Sequence, residues 1–316
     1  MTALVAYLKH VCHASYSTIR KFFRDIVQIK ISRGYLAKLI GKVSAALKTS
    51  YEELLSRLPL EEVLHVDETG HKNNGDRFWT WVFKAELYVL FKIDKSRGSQ
   101  VLIDVLGESF NGTLSCDYFS AYKKYMQDFN VTVQFCLAHL IRNIRFLSTL
   151  PDPQTMKYAN DLLDAIREMF GVIHHHEEMD SDDFIRQMNV AKQKILDAAI
   201  VKAPSQLDKN GKEKLTEVKN MSDRFATHGK AYFEFITSPG VDPTNNLAEQ
   251  AIRFIVIDRY ITQGTRSISG QRACERIWTV IGTCKMQGKS AFDFIQAAVH
   301  SYFRGTNSPS LLIDTG

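Results

Sequence analysis

The sequence predicts an α/β fold in which helices flank a mixed five-stranded sheet. Between residues 59 and 151 there are five short β-rich segments. Turn sequences join the first three, and helical segments separate the later ones. Residues 1–58 and 152–240 have helical character instead, so we expect an N-terminal helical region and an all-helical insertion. With 316 residues, of which 45% are hydrophobic, the chain is long enough for about two domains.

The N-terminal region is predicted to contain two helices joined by a tight turn. Ile19, Phe22 and Phe23 lie at positions i, i+3 and i+4, which places them on one face of a helix. Ser32 is a candidate N-cap for the helix that follows. This pattern is typical of a DNA-binding helix-turn-helix, although any small helical hairpin has the same periodicity.

The N-terminal region is also strongly basic. Residues 1–50 carry a net charge of +8, whereas the rest of the chain sums to −3. Such a concentration of charge is expected of a module that binds phosphate groups, and a solvated helix face is the alternative. A second basic stretch, residues 253–304, has a net charge of +5. The candidate DNA-binding residues are Arg20, Lys21, Arg33, Lys38, Lys42, Arg142, Arg253, Arg259 and Arg266.

The five predicted strands follow in order along the chain. The first is residues 63–66, which an Asp-Glu-Thr-Gly turn follows, and residues 78–83 and 87–93 are the next two. The Asn-Asn-Gly-Asp sequence at 73–76 is a hairpin signal. The last two strands are 113–116 and 131–136. The whole chain is predicted to divide into 1–58, 59–151, 152–240, 241–304 and a tail at 305–316.

Three carboxylates are candidates for catalysis. Asp67 and Asp117 each directly follow a predicted strand, and side chains at the ends of neighbouring strands converge on one crevice. Glu249 begins a later predicted helix, which would bring it to the same crevice if the helix packs across the sheet. Carboxylate oxygens suit Mg²⁺ or Mn²⁺, and two such ions can promote displacement at a phosphodiester.

Each carboxylate also has a structural explanation. Asp67 and Asp117 could cap turns, a position that Asp favours. Asn246 and Glu249 have the spacing of a capping box, and Arg253 could pair with Glu249 one helical turn later. The spacing of these residues therefore leaves both explanations open.

Four motifs of the chain, in the same order, resemble the IS66 family of bacterial insertion-sequence transposases. They are residues 65–69 (HVDET), 112–118 (GTLSCDY), 136–139 (CLAH) and 244–253 (TNNLAEQAIR). The resemblance extends from about residue 15 to residue 300. One such motif would be a weak signal, whereas four in register are specific.

The resemblance implies an RNase H-like core with the DDE triad Asp67, Asp117 and Glu249 and two Mg²⁺ (or Mn²⁺) ions. It implies that the chain binds double-stranded DNA, both the terminal inverted repeats and the target, and catalyses cleavage and strand transfer. A homodimer or higher oligomer on DNA is expected, with accessory proteins encoded by the element as further partners. The supporting signature positions are Tyr118, Cys136, His139, Asn245 and Asn246.

The chain departs from the family pattern in two places. Asp258 and Arg259 stand where such transposases usually have a basic pair, so a local DNA contact is expected to differ. Members also tend to carry an N-terminal extension with a cysteine-rich element, so we interpret this chain as a shorter variant or a truncated product.

Cys136 and His139 have the spacing of half of a zinc site, but a structural zinc site needs four ligands. We therefore expect Cys136 to pack in the core and His139 to form a hydrogen bond or to contact phosphate.

The five cysteines are scattered and odd in number, and no run of 18 apolar residues occurs. We expect a cytoplasmic bacterial protein that associates with the nucleoid when bound to DNA and not with membranes. Two rival functions are an RNase H-like nuclease without joining activity and a catalytically inactive, transposase-derived DNA-binding protein.

Overall fold

The computed structural model describes residues 1–202, 206–207, 213–214 and 216–313, which fall into two compact units. The first unit comprises Met1–Leu114, Phe119–Val131 and Asn246–Gly316. The second unit comprises Ser115–Tyr118 and Thr132–Asn245.

Four helices begin the first unit, namely α1 (Thr2–His10), α2 (Tyr16–Asp25), α3 (Arg33–Ala46) and α4 (Lys48–Arg57). The Ser32 hydroxyl accepts the Tyr35 N–H at 3.1 Å, which confirms Ser32 as the N-cap of α3. Ile19 and Phe23 are buried on the inner face of α2. Tyr35, in the first turn of α3, is exposed, and the buried face of this helix starts at Leu36.

The sheet has five strands in the order β3-β2-β1-β4-β5, which confirms the five-stranded sheet predicted from the sequence. Both pairs formed by the first three strands are antiparallel. The strands are β1 (Val63–Asn73), β2 (Asp76–Lys84), β3 (Val89–Asp94), β4 (Thr113–Cys116) and β5 (Thr132–Phe135).

Strand β1 is longer than predicted. The sequence was interpreted as a strand that ends at Val66 and turns at Asp67, but pairing with β2 continues to Asn73 opposite Asp76. The reason is the hairpin turn: Asn74 and Gly75 have positive φ angles of 52° and 92°, as a tight two-residue turn requires. The turn fixes the register of β1 with β2 from residues 73 and 76 onward, and the pairing continues past Asp67. Asp67 therefore lies within the strand and not after it.

Five more helices complete the first unit. They are α5 (Gln100–Leu106), α6 (Ser120–Phe129), α11 (Asn246–Thr262), α12 (Ile268–Met286) and α13 (Ala291–Arg304). Helix α11 packs against β1 and β2, and α12 packs along β3.

Helix α12 closes the outer edge of β3. Three alternate N–H groups of the strand donate to side chains spaced four residues apart on the helix, at 3.2, 3.1 and 2.7 Å. The donor and acceptor pairs are Val89 with Thr283, Phe91 with Thr279, and Ile93 with Glu275. Four helical residues rise about 6 Å and two strand residues about 6.7 Å, so the two repeats stay in step. Gly282 permits the close approach, because a Cβ there would lie 2.5 Å from Val89 Cγ1.

The second unit is mainly helical, but the prediction that residues 152–240 are all helical was wrong, because two short strands pair within that region. Its helices are α7 (Leu137–Ser148), α8 (Pro153–His174), α9 (Ser181–Ala199) and α10 (Glu217–His228). Helix α8 packs against α7 and α9. A short antiparallel pair, β6 (Gln206–Leu207) with β7 (Glu213–Lys214), was not predicted. In the described part of the chain, no helix is both long and apolar enough to cross a lipid bilayer.

Candidate active site

Two neighbouring carboxylates on β1 have different environments. Asp67 is partly exposed, and its Oδ1 accepts the backbone N–H of Glu68 at 2.8 Å. The Glu68 carboxylate is almost fully buried, where Arg97 donates to Oε1 at 2.7 and 2.8 Å and the Tyr122 hydroxyl donates to Oε2 at 2.5 Å. Since successive side chains of a strand point to opposite faces, Glu68 is held on one face and Asp67 projects from the other.

The face of Asp67 is the one that α11 covers. Asp67 lies directly opposite Val82 in the antiparallel register, so their side chains share a face. Val82 packs in a core cluster that contains Ala248 and Ile252 of α11. The first turn of α11, which carries Glu249, therefore lies over the part of the sheet where Asp67 is placed. Asp67 and Glu249 thus belong to two elements, β1 and α11, that pack against each other.

The far end of α11 is fixed to β1 by Arg259. Its Nη1 donates to the Thr69 hydroxyl at 3.1 Å and to the Gly70 carbonyl oxygen. Beyond the helix, Thr265 forms a parallel bridge with Asn73. Arg259, a candidate DNA-binding residue, therefore also has a structural role that sequence reasoning missed.

Asp258, where the sequence departs from the family pattern, is a buried residue of α11. Its carboxylate accepts a hydrogen bond from His13 Nδ1 at 3.2 Å. Burial raises the pKa of Asp258, although Lys9 and His13 act in the opposite direction. This residue links the loop after α1 to the helix that carries Glu249.

In the second unit, Asp117 directly follows β4, as predicted. The next residue, Tyr118, packs edge-on against Phe135, and its hydroxyl is hydrogen-bonded to His228 Nδ1 at 2.9 Å. The guanidinium of Arg224 lies 3.9 Å from the centre of the Tyr118 ring and donates to the Tyr232 hydroxyl at 2.5 Å.

Burial raises the pKa of Tyr118, so this hydroxyl stays protonated at neutral pH, although Arg224 acts in the opposite direction. These contacts fix the backbone beside Asp117. No motif in the sequence marks Arg224 or His228, which lie more than 100 residues away from Tyr118.

Within the second unit, the third motif contacts Asn245, near the start of the fourth motif. Cys136 is buried, and its Sγ accepts the backbone N–H of Asn245 at 3.2 Å. The Leu137 N–H donates to the Pro243 carbonyl oxygen at 2.9 Å. Cys136 therefore packs and accepts a hydrogen bond, and its partner residue Asn245 is also buried. His139 lies in the first turn of α7, and Asn246 is the first residue of α11.

The other predicted DNA-binding residues are exposed. The guanidinium groups of Arg20 and Arg33 each form a hydrogen bond within the N-terminal region. Arg20 donates to the Ile31 carbonyl oxygen, and Arg33 donates to the Ser17 hydroxyl. The remaining exposed residues of this set are Lys21, Lys38, Lys42, Arg142, Arg253 and Arg266. Two aromatic residues of the C-terminal stretch differ in exposure: Trp278 is buried in the core, and Tyr260 is 72% exposed.

Comparisons with known proteins identify similar chains. Residues 1–273 match the model of the family described as "Transposase IS66 family". The uncharacterized protein y4qI of Sinorhizobium fredii (strain NBRC 101917 / NGR234) is 25% identical over 313 residues. That match covers 90% of this chain and 55% of the relative, so the chain spans about half the length of the curated relative that it matches.

Proposed function

Because this chain belongs to the IS66 family of transposases, we propose that it is a DDE transposase. It cleaves DNA at the ends of a mobile element and joins the freed 3′ ends to target DNA. One observation carries the proposal: Asp67 shares a face of the sheet with Val82, against which the helix bearing Glu249 packs. Asp117, at the end of β4, is the third member of the proposed catalytic triad.

The donor set of these residues suits hard divalent cations. Asp67, Asp117 and Glu249 offer only carboxylate oxygens, which Mg²⁺ and Mn²⁺ prefer. These three residues would hold two such ions, which supply charge neutralisation at the phosphate and activation of the attacking oxygen.

The other residues of the first unit prepare this site. Arg97 and Tyr122 hold Glu68 on the opposite face of β1, so its charge is balanced away from the proposed site. Arg259 fixes the direction of α11 across the strand that carries Asp67. The contacts of Glu68 and those of Arg259 restrict the positions that the proposed metal-binding residues can take. This lowers the reorganisation needed when substrate binds.

DNA and a second copy of the chain are the proposed partners. The exposed basic residues of α2 and α3 bind the inverted repeats, and transposition requires two ends to be held together, so we expect a dimer or larger assembly on DNA. Accessory proteins encoded by the element are further proposed partners.

The test is a strand-transfer assay with pre-cut DNA ends and Mg²⁺. Loss of an outer-shell partner alone costs about 10- to 100-fold, so Asp67→Asn, Asp117→Asn and Glu249→Gln should each lower joining by more than about 100-fold. DNA binding should persist in all three variants. The matched control is Asp128→Asn, an exposed aspartate that pairs with Lys124, and its activity should equal that of the unmodified chain.

Three outcomes would contradict the proposal. Cleavage without joined product would indicate an RNase H-like nuclease. DNA binding without any cleavage by the unmodified chain would indicate an inactive, transposase-derived DNA-binding protein. Full activity of Asp117→Asn would remove that residue from the site.

A further inference from the structure

A basic cleft lies at the hairpin end of β1, within the first unit. Its volume is about 470 Å³, and its lining includes Gly70, Lys72, Arg77, Arg259 and Tyr260. We call it the hairpin cleft. Pockets of this size are in the range that holds small organic ligands.

The cations of the hairpin cleft have no carboxylate partner among the described residues, and the Arg77 guanidinium lies 4.7 Å from the centre of the Trp79 ring. Lys72 and Arg77 lie directly opposite each other in the antiparallel register, an arrangement of like charges that destabilises a sheet. Within the described residues, neither side chain forms an ion pair with a carboxylate, and no acidic residue lines the cleft. The third cation, Arg259, uses Nη1 to hold Thr69 and Gly70.

The buried imidazole of the cleft adds no charge at neutral pH. Burial and the neighbouring Arg259 lower the pKa of His71 to about 4. The Thr265 hydroxyl donates to Asn73 Oδ1, so it accepts from His71 Nε2, and the ring is held as the neutral tautomer protonated at Nε2. The positive charge therefore comes from Lys72, Arg77 and Arg259.

The rim of the cleft carries an exposed aromatic ring. Tyr260 is 72% exposed, an unusual position for a large aromatic side chain. The Arg259 guanidinium lies 5.8 Å from its centre. A ring with a free face beside cations is the combination that proteins use to bind unpaired nucleotides, since bases stack on the ring and phosphates contact the cations.

The position of the cleft relates it to Asp67. Both lie on β1, and Gly70 and Lys72 are three and five residues beyond Asp67. At the rise of a strand, these separations are about 10 and 17 Å. Measured along β1, the cleft therefore begins within the length of a few nucleotides from Asp67. Because side chains alternate along a strand, Lys72 and its partner Arg77 lie on the face opposite Asp67. Arg259 approaches from α11 and contacts Thr69, on the same face as Asp67.

We propose that the hairpin cleft binds unpaired nucleotides of the DNA strand next to the cut, with phosphates at Lys72, Arg77 and Arg259 and one base stacked on Tyr260. This inference rests on the proposed function for the identity of the DNA. Unpaired DNA is favoured over a duplex because bases inside a duplex stack on their neighbours through both faces, which leaves no face for Tyr260. Gly70 and Gly75, which have no side chains, leave room for the strand.

The test measures binding of the whole chain to DNA in the absence of divalent metal, so that no cleavage occurs. The probes are a blunt duplex and the same duplex with four unpaired nucleotides, one of them 2-aminopurine. Tyr260→Ala should weaken binding of the second probe by about 5- to 100-fold, and it should abolish the quenching of 2-aminopurine by stacking. Tyr260→Phe, which keeps the ring, should retain both, and blunt-duplex binding should not change.

The contribution of Lys72 and Arg77 is measured separately, by the salt dependence of DNA binding. Lys72→Ala and Arg77→Ala should each reduce the slope of log affinity against log salt concentration by about 0.7, the value for one lost phosphate contact on a single strand. Tyr302→Ala and Lys95→Ala replace exposed residues outside the cleft, and neither should change binding. Unchanged quenching in Tyr260→Ala, or an equal loss for both probes, would overturn the proposal.

The two proposals fail in different ways. If the proposed function is wrong, the unmodified chain joins no DNA ends with Mg²⁺, whatever the binding assay shows. If the hairpin cleft proposal is wrong, the carboxylate variants lose joining while Tyr260→Ala binds unpaired DNA normally.

Discussion

The outer edge of β3 and the hairpin end of β1 differ in whether their polar groups have partners within the protein. At the β3 edge, Glu275, Thr279 and Thr283 accept the N–H groups that the strand would otherwise leave unpaired. At the hairpin end, Lys72 and Arg77 face each other without a carboxylate partner among the described residues.

The difference separates groups that build the fold from groups that are available to a ligand. A buried N–H without a partner costs about 1–3 kcal/mol, so the β3 edge gains stability from every contact with α12. Like charges directly opposite on a sheet cost stability instead, so the hairpin pair lowers the stability of the free protein. Substitutions at the β3 edge should therefore destabilise the fold, and substitutions at the hairpin should not.

The largest effect is expected from Glu275→Ala. The Glu275 side chain is fully buried, accepts the Ile93 N–H at 2.7 Å and pairs with Arg272 at 2.8 Å. Its removal leaves the Ile93 N–H unpaired in the core, so the free energy of unfolding should fall by about 3 kcal/mol. Urea unfolding measures this change, and the control is Glu108→Ala, an exposed glutamate. Equal stabilities of the two variants would show that the β3 edge does not depend on this contact.

A smaller effect is expected when the pH falls, because His71 is buried in its neutral form. Its folded pKa of about 4 lies below the ordinary value of 6.5. The stability from His71 is therefore fully present above about pH 6.5 and is lost as the pH falls toward 4, by about 2 kcal/mol between pH 7.5 and pH 5. His71→Gln should lose this part of the pH dependence, measured by urea unfolding at each pH.

Other buried groups also titrate in this range. Burial lowers the pKa of His10, which acts in the same direction as His71, and raises the pKa of Asp258 and Glu275, which act in the opposite direction. The comparison must therefore be the difference between His71→Gln and the unmodified chain. The control is His300→Gln, since His300 is exposed on α13. Parallel pH curves for His71→Gln and the unmodified chain would contradict the assignment.

The smallest effect is expected from Lys72→Ala. Removal of one of two like charges should leave the free energy of unfolding unchanged or raise it by up to about 0.5 kcal/mol. The control is Lys95→Ala, at an exposed lysine outside the hairpin. A loss of more than about 1 kcal/mol in Lys72→Ala alone would place Lys72 among the groups that build the fold, and the contrast with the β3 edge would disappear.

The sequence predicted the sheet and the helices better than it predicted the surroundings of the carboxylates. Alternating side chains and the Asn-Gly turn are local signals, so the five strands and the hairpin could be recognised. The length of β1 could not, because Asp-Glu-Thr-Gly is a turn sequence locally and only pairing with β2 keeps it extended.

The contacts around the site depend on the folded chain and have no local signal. Glu68 is adjacent to Asp67 in the first motif, yet its partners Arg97 and Tyr122 lie 29 and 54 residues away. The contact of Arg224 with Tyr118 and the link between Cys136 and Asn245 are also of long range. The proposed triad of Asp67, Asp117 and Glu249 stays a prediction, to be tested by the assays above.

The closure of the β3 edge by α12 has a consequence for synthesis of the chain. The three contacts join residues that are 182 to 194 positions apart in the sequence. At typical translation rates of about 5–20 residues per second, the strand emerges from the ribosome about 10–40 seconds before its helical cover. During that interval the nascent sheet has an open edge to which another strand can add. In the finished protein α12 occupies this edge, so a second chain cannot extend the sheet at β3.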